Sequence, residues 1–136
     1  MPIYRCTVPQ ASVTPEQKAE IAREITRIHC ELTSGTPAGF VHVIFEEVQS
    51  GNRFSGGEPS SKALIVGRIR AGRSGEVKAK LLLGISEAWK RVTGQPERDI
   101  LVAVQDIPAR DVVEGGWVLP EPGQEDAWLS EHGLTG

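Results

Sequence analysis

Apolar residues along the first third of this chain fall into two rhythms. PIYRCTV (2–8) reads as a short strand, whereas Ile21, Ile25, Ile28 and Leu32 recur at helical spacing and form one stripe. The helix has a clear start. Thr14-Pro15-Glu16-Gln17 combines an N-cap, a proline at the first helical position and a glutamine three residues on. Gly35 marks its end. The same succession returns further along: KALIVGRIR (62–70) predicts a strand and Ser74 the start of a second helix. Its stripe is Leu81, Leu82, Ile85, Trp89 and Val92, ahead of Gly94.

The two halves resemble each other at a period of about sixty residues. Ile25 falls on Ile85, Leu32 on Val92 and Thr33 on Thr93; after a one-residue slip, VHVIFEEV (41–48) falls on ILVAVQDI (100–107). The chain therefore reads β-α-β twice, over about 2–48 and 62–107. A right-handed crossover makes the two strands of each unit parallel. The predicted fold class is α+β, a single domain over 1–136 in which a four-stranded mixed sheet carries two helices on one face. Phe40 and Ile44 then lie on one face of their strand, and Val41, Val43 and Phe45 on the other. A strand apolar on both faces is covered on both, and two helices cover only one, so a second subunit is expected on the other. GNRFSGGEPSS (51–61) joins two strands and reads as a loop rather than a phosphate cradle. The tail after Pro108 carries Trp117, Leu119, Trp128 and Leu129, so it is expected to pack as an arm on its own or a neighbouring subunit.

Composition narrows the classes. At 136 residues the chain has the size of one domain, and its formal net charge of -3 includes no basic stretch that would displace counterions from phosphates. A nucleic-acid partner is not expected. No apolar run approaches the roughly 20 residues of a membrane span and no secretory signal pattern is present, so the expected location is cytoplasmic, away from any membrane. Cys6 and Cys30 fit neither a disulfide framework nor a zinc pattern and are expected to be reduced. The chain contains no G-x-S-x-G, P-loop or H-E-x-x-H sequence, which leaves a serine hydrolase, an NTPase and a zincin without support.

Several residues could carry chemistry. Pro2 is tolerated at the first position of a strand, but removal of Met1 would expose a prolyl amine that titrates near or above neutrality and can act as base or acid. A retained Met1 acylates that nitrogen and abolishes the role. Arg68 and Arg70 stand two apart on one strand, on the same face, and Arg73 follows in the turn before a helix. Guanidinium groups there either form an anion site, above all for a carboxylate held bidentately, or pair with nearby acids. His29 sits at the margin of the first helical stripe, where a lone histidine is usually a core-edge residue with a backbone partner. His42 reads as structural within its strand, and Glu114 alone as an ordinary surface acid.

Taken together, these residues resemble the tautomerase superfamily, and within it the cis-3-chloroacrylic acid dehalogenase group. The resemblance runs over nearly the whole chain: the initial P-[IV]-Y, ITRIHCELT (25–33), GNRFSGG, the R-x-G-R-S turn (70–74) and VEGGWVLPEPGQEDAW. It implies a trimer of tandem β-α-β units, with Pro2 as the catalytic proline and Glu114 as the acid that activates water. It implies further that Arg70 and Arg73 grip a small carboxylate substrate with help from His29, and that no metal or organic cofactor is needed. In that group water adds to the carbon β to the carboxylate while the protonated proline delivers a proton to the α carbon. One position departs from the pattern: a tyrosine on the last strand, which helps the acid hold water, is here Ala103. Weaker hydration, or a pocket open to a bulkier substrate, is the expected consequence, and keto-enol tautomerisation becomes a competing activity. Arg68 has no role by this resemblance.

Overall fold

A computed structural model describes residues 1–33 and 35–134 of the chain. Strand β1 (Ile3–Pro9) leads into helix α1 (Pro15–Leu32) and returns as β2 (His42–Val48). A small hairpin, β3 (Phe54–Ser55) and β4 (Glu58–Pro59), precedes the second unit: β5 (Ala63–Arg70), α2 (Gly75–Thr93) and β6 (Ile100–Ile107). A second hairpin, β7 (Val113–Glu114) and β8 (Trp117–Val118), and helix α3 (Glu125–Glu131) complete the chain. Segment 51–61, expected to be a plain loop, is thus partly a hairpin, turned by Gly56 and Gly57 at positive φ.

The four long strands form one mixed sheet in the order β2-β1-β5-β6. Both outer pairs are parallel, as crossover through a helix requires, and the two units meet where β1 pairs antiparallel with β5. The internal repeat survives in atomic detail. Thr14 caps α1 through the Gln17 N–H and Ser74 caps α2 through the Val77 N–H; at the other ends the Thr33 and Thr93 hydroxyls donate to the carbonyls of His29 and Trp89. In α1 the Gln17 side chain accepts from the Thr14 N–H in return, completing the capping box.

Both helices lie on one face. Ile21, Ile25 and Ile28 of α1 and Leu81, Ile85 and Trp89 of α2 bury themselves against Tyr4, Cys6 and Val8 of β1 and Ile65 and Ile69 of β5. Each such aliphatic side chain contributes about 1.5–3 kcal/mol by leaving water. The opposite face is bare within one chain, and Ile44 and Leu101 stand 41% and 51% exposed on the outer strands. The C-terminal arm takes the first of its two expected courses and packs on its own chain. Leu119, Trp128 and Leu129 form a second apolar cluster with Met1 and Ala109. Cys6 and Cys30 are both free, Cys6 in the core and Cys30 only half-buried.

Antiparallel pairing of β1 with β5 determines where the chemistry can gather. It brings the start of β1, the end of β5 and, through the parallel pairs, the start of β2 and the end of β6 to one end of the sheet.

Candidate active site

Arg70 is the last residue of β5 and Arg73 lies in the turn before Ser74 caps α2. Their positive charges meet a carboxylate of the same chain. Glu125, the first residue of α3, places Oε1 3.0 Å from Arg70 Nη2 and 3.4 Å from Arg73 Nη2. Its Oε2 accepts from the Gly123 N–H at 2.7 Å, and Arg70 Nη1 donates to the Pro120 carbonyl at 2.7 Å. Burial would raise the carboxyl of Glu125, but its own and the Gly123 backbone N–H groups, with Arg70, outweigh this and hold it below its ordinary range. Burial, then the charge of Arg70, draws Arg73 below its ordinary value. Two guanidinium groups therefore share one carboxylate, which leaves a unit of positive charge and most of the Arg73 donors for a further anion. Glu125 lies within the VEGGWVLPEPGQEDAW segment, but nothing in the sequence marks it as the partner of Arg70, 55 residues away.

His29, near the end of α1, is buried rather than marginal, and its partner is a side chain: Nδ1 lies 2.8 Å from the Tyr4 hydroxyl. Burial, reinforced by Arg73, Arg70 and the chain's amino terminus, pushes its imidazolium down to about 3. The ring is neutral at pH 7. Burial also raises the phenol of Tyr4, so its O–H stays intact. Where the phenol donates to Nδ1, the hydrogen of the neutral His29 ring resides on Nε2; in the other tautomer Nδ1–H donates to the phenolic oxygen. Gly67 makes the phenol's position possible: a Cβ there would stand 2.4 Å from Tyr4 Cε1, so only glycine lets the ring lie across β5.

Glu114 sits in β7 with its side chain 19% exposed. Oε1 accepts from the ammonium of Met1, and Oε2 lies 2.6 Å from Nε2 of His42. His42, expected to be structural within its strand, is instead the first residue of β2, where its ring reaches a carboxylate from the far end of the chain. The signal for this was absent, since the pair is 72 residues apart. Ala103 lies on β6 in register with Val66 and does not line the cavity at Glu114. Arg68 stands on β5 opposite Ile3, half-buried, outside the Arg70–Glu125–Arg73 cluster.

Met1 lies between the two groups. Its side chain is buried and lines a cavity with Phe40, Arg70, Leu119, Glu125 and Trp128. Only about 10 Å³ remains there, the room of about one water. Burial holds the Met1 amine below its usual value; Glu114 opposes that shift and Arg70 adds to it. Pro2 is fully buried behind it with its nitrogen acylated, and its carbonyl accepts from the His42 N–H at 2.9 Å. Among the described residues no cluster of His, Cys, Asp and Glu could hold a metal ion.

Known proteins resemble this chain in sequence and fold. A family described as "Putative oxalocrotonate tautomerase enzyme" matches residues 1–132. The solved structure of native Ps01740 is 36% identical, with a TM-score of 0.79, over 82% of this chain and 99% of that one. A protein called N1, a member of the cis-3-chloroacrylic acid dehalogenase family, is 29% identical with a TM-score of 0.90, over 94% of this chain and 90% of its own. A fused 4-OT solved as a symmetric trimer is 26% identical with a TM-score of 0.77, over 85% of this chain and 94% of its own. No match is found among curated proteins.

Proposed function

The chain belongs to the tautomerase superfamily, and from that premise we propose that it moves protons on a small unsaturated or 2-oxo carboxylate through the nitrogen of Pro2 once Met1 has been removed. The observation that carries this is the place of Met1. One residue acylates the Pro2 nitrogen, neutralises Glu114 with its ammonium and fills the cavity beside Arg70. Its removal frees an amine, a carboxylate and space for a small molecule in a single step.

In the processed protein the substrate carboxylate sits on the Arg70 and Arg73 donors that Glu125 leaves free, with the Nε2–H of His29 as a neutral donor beside them. Neutralising that carboxylate makes a conjugated double bond a better electron sink. Glu114 takes a proton from water as the water oxygen bonds to the β carbon. The π electrons move to the α carbon, which receives the proton of the Pro2 ammonium. Where the β carbon bears a halogen, the new hydroxyl then loses its proton to solvent, its C–O bond becomes a carbonyl and halide leaves with the electrons of the C–halogen bond. Ala103 stands where the resembled group carries a tyrosine that steadies the water, and loss of one such bond slows hydration by about 1–3 kcal/mol at the barrier. Because Ala103 lies away from the Glu114 cavity of its own chain, this contribution would have to come across the homotrimer contact. Keto-enol tautomerisation is the second activity we propose, because it requires Pro2 and the anion clamp but no water-activating base.

No cofactor enters either reaction. The bare sheet face bearing Ile44 and Leu101 is, in our reading, the contact of a homotrimer, in keeping with the fused 4-OT relative solved as a trimer. No helix among the described residues is long and apolar enough to cross a membrane, and we place the protein in the cytoplasm.

The test compares protein with and without Met1, verified by intact mass, on phenylpyruvate enol, propiolate-type acids and haloacrylates. Turnover confined to the processed form is expected. Inactivity of both forms on all three would refute the reading and favour a binding protein that keeps Met1. Glu114→Gln separates the two reactions: hydration is almost abolished and tautomerisation changes little.

A further inference from the structure

Glu114 has a partner that the proposed reaction leaves unused. His42 is tied into the site twice. Its backbone N–H donates to the Pro2 carbonyl at 2.9 Å, and its Nε2 lies 2.6 Å from Glu114 Oε2. The β1–β2 register sets His42 opposite Ile3, so one strand pair fixes the imidazole and the prolyl residue relative to each other, and the Glu114 carboxylate reaches the imidazole from β7. A cavity of about 220 Å³ opens here, lined by Met1, Ile3, His42, Val112, Val113 and Glu114. Its walls are otherwise apolar, so the polar chemistry of this cavity belongs to the imidazole, the carboxylate and the amino terminus.

The fold does not need this ring. The His42 side chain is 48% exposed and lies outside both apolar clusters, and the strand start is held by its backbone bond to Pro2. The carboxylate, in contrast, has a use for it. A glutamate in a short hairpin strand can rotate about its terminal bond and present either oxygen. A short bond from Nε2–H to Oε2 stops that rotation and leaves Oε1 directed at the amine-bearing end of β1. Neutral imidazole with its hydrogen on Nε2 and imidazolium both supply the donor.

We propose that His42 is the positioning residue of Glu114, holding Oε2 so that Oε1 alone takes the proton from water. The inference rests on the reading of Glu114 as the water-activating base, and it adds a residue to which the sequence assigned no chemistry.

The test uses the full chain with Met1 removed and measures hydration of propiolate or a haloacrylate. His42→Leu keeps the bulk without the donor, and kcat is expected to fall roughly 10–100-fold, the cost of a misaligned catalytic group. KM stays within about twofold, because the carboxylate is bound at Arg70 and Arg73. His42→Gln, whose side-chain amide can donate to the same oxygen, is expected to retain kcat to within about threefold. The Glu114→Gln/His42→Leu double variant is expected to be no slower than Glu114→Gln alone, as for two groups acting as one unit. Equal kcat in the His42→Leu, His42→Gln and wild-type proteins, equal losses in both variants, or a change confined to KM would each overturn the proposal while leaving Glu114 as the base. Absence of hydration by the wild-type protein would remove the base itself, and the positioning role with it.

Discussion

Replacing Glu125 by glutamine tests the electrostatics of the clamp directly. In the native protein its carboxylate bridges two arginines, with the side chains of Arg70, Arg73 and Glu125 only 6%, 11% and 7% exposed. The Glu125→Gln change would keep the shape but leave two buried guanidinium groups without a counter-charge. The amide can keep its oxygen toward the Gly123 N–H, where Oε2 now accepts, only by turning its NH2 toward the two guanidinium groups. Removing one member of a buried pair typically costs about 3–5 kcal/mol, since the remaining charge stays desolvated. For a domain of this size that is a fall in melting temperature of about 10–15 °C. The same change should strengthen anion binding, because one more unit of positive charge faces the cavity. A melt followed by circular dichroism, with and without a small monocarboxylate, reads both effects: the variant melts early and recovers more on adding the anion than wild type does. A variant that melts within about 2 °C of wild type, or that gains no extra protection from the anion, would refute the argument that Glu125 neutralises the pair.

Two further outcomes follow from the same end of the sheet. His29 is held down to about 3 in the folded protein, against about 6.5 for a free imidazole. Between those values the unfolded chain binds a proton that the folded chain refuses, so stability falls as pH drops through that window, by on the order of 4–5 kcal/mol in full. Urea denaturation at several pH values should show this slope in wild type and a flatter one in His29→Gln; identical slopes would dismiss the buried neutral histidine. Gly67→Ala places a methyl 2.4 Å from Tyr4 Cε1, with an expected loss of about 1–3 kcal/mol from overpacking. A wild-type melting temperature in that variant would mean that the phenol does not lie across β5 as described.

The parts of the fold that follow local rules were legible without coordinates. Both long helices start at the hydroxyl caps that the sequence displays, Thr14 and Ser74, and the apolar stripes behind them are the buried faces. The sixty-residue repeat gave two parallel strand pairs because a crossover helix permits no other pairing. Hairpin β3–β4 was not legible, since two-residue strands carry no periodicity. The resemblance to a known family brought Pro2, His29, Arg70, Arg73 and Glu114 into consideration. The structure sets His29, Arg70 and Arg73 near one another and Glu114 across Met1 from them.

The sequence by itself therefore determined the elements, their buried faces and the doubled β-α-β plan, because capping and periodicity act between residues a few positions apart. Tertiary structure alone decided which acid meets which base. Glu125 reaches Arg70 across 55 residues and Glu114 reaches His42 across 72. Such pairs form because the antiparallel junction of β1 with β5 gathers distant chain segments at one end of the sheet, where buried charges must find partners or remain unpaired at high cost. Nothing along a linear sequence marks which distant residues a sheet register will bring within hydrogen-bonding distance.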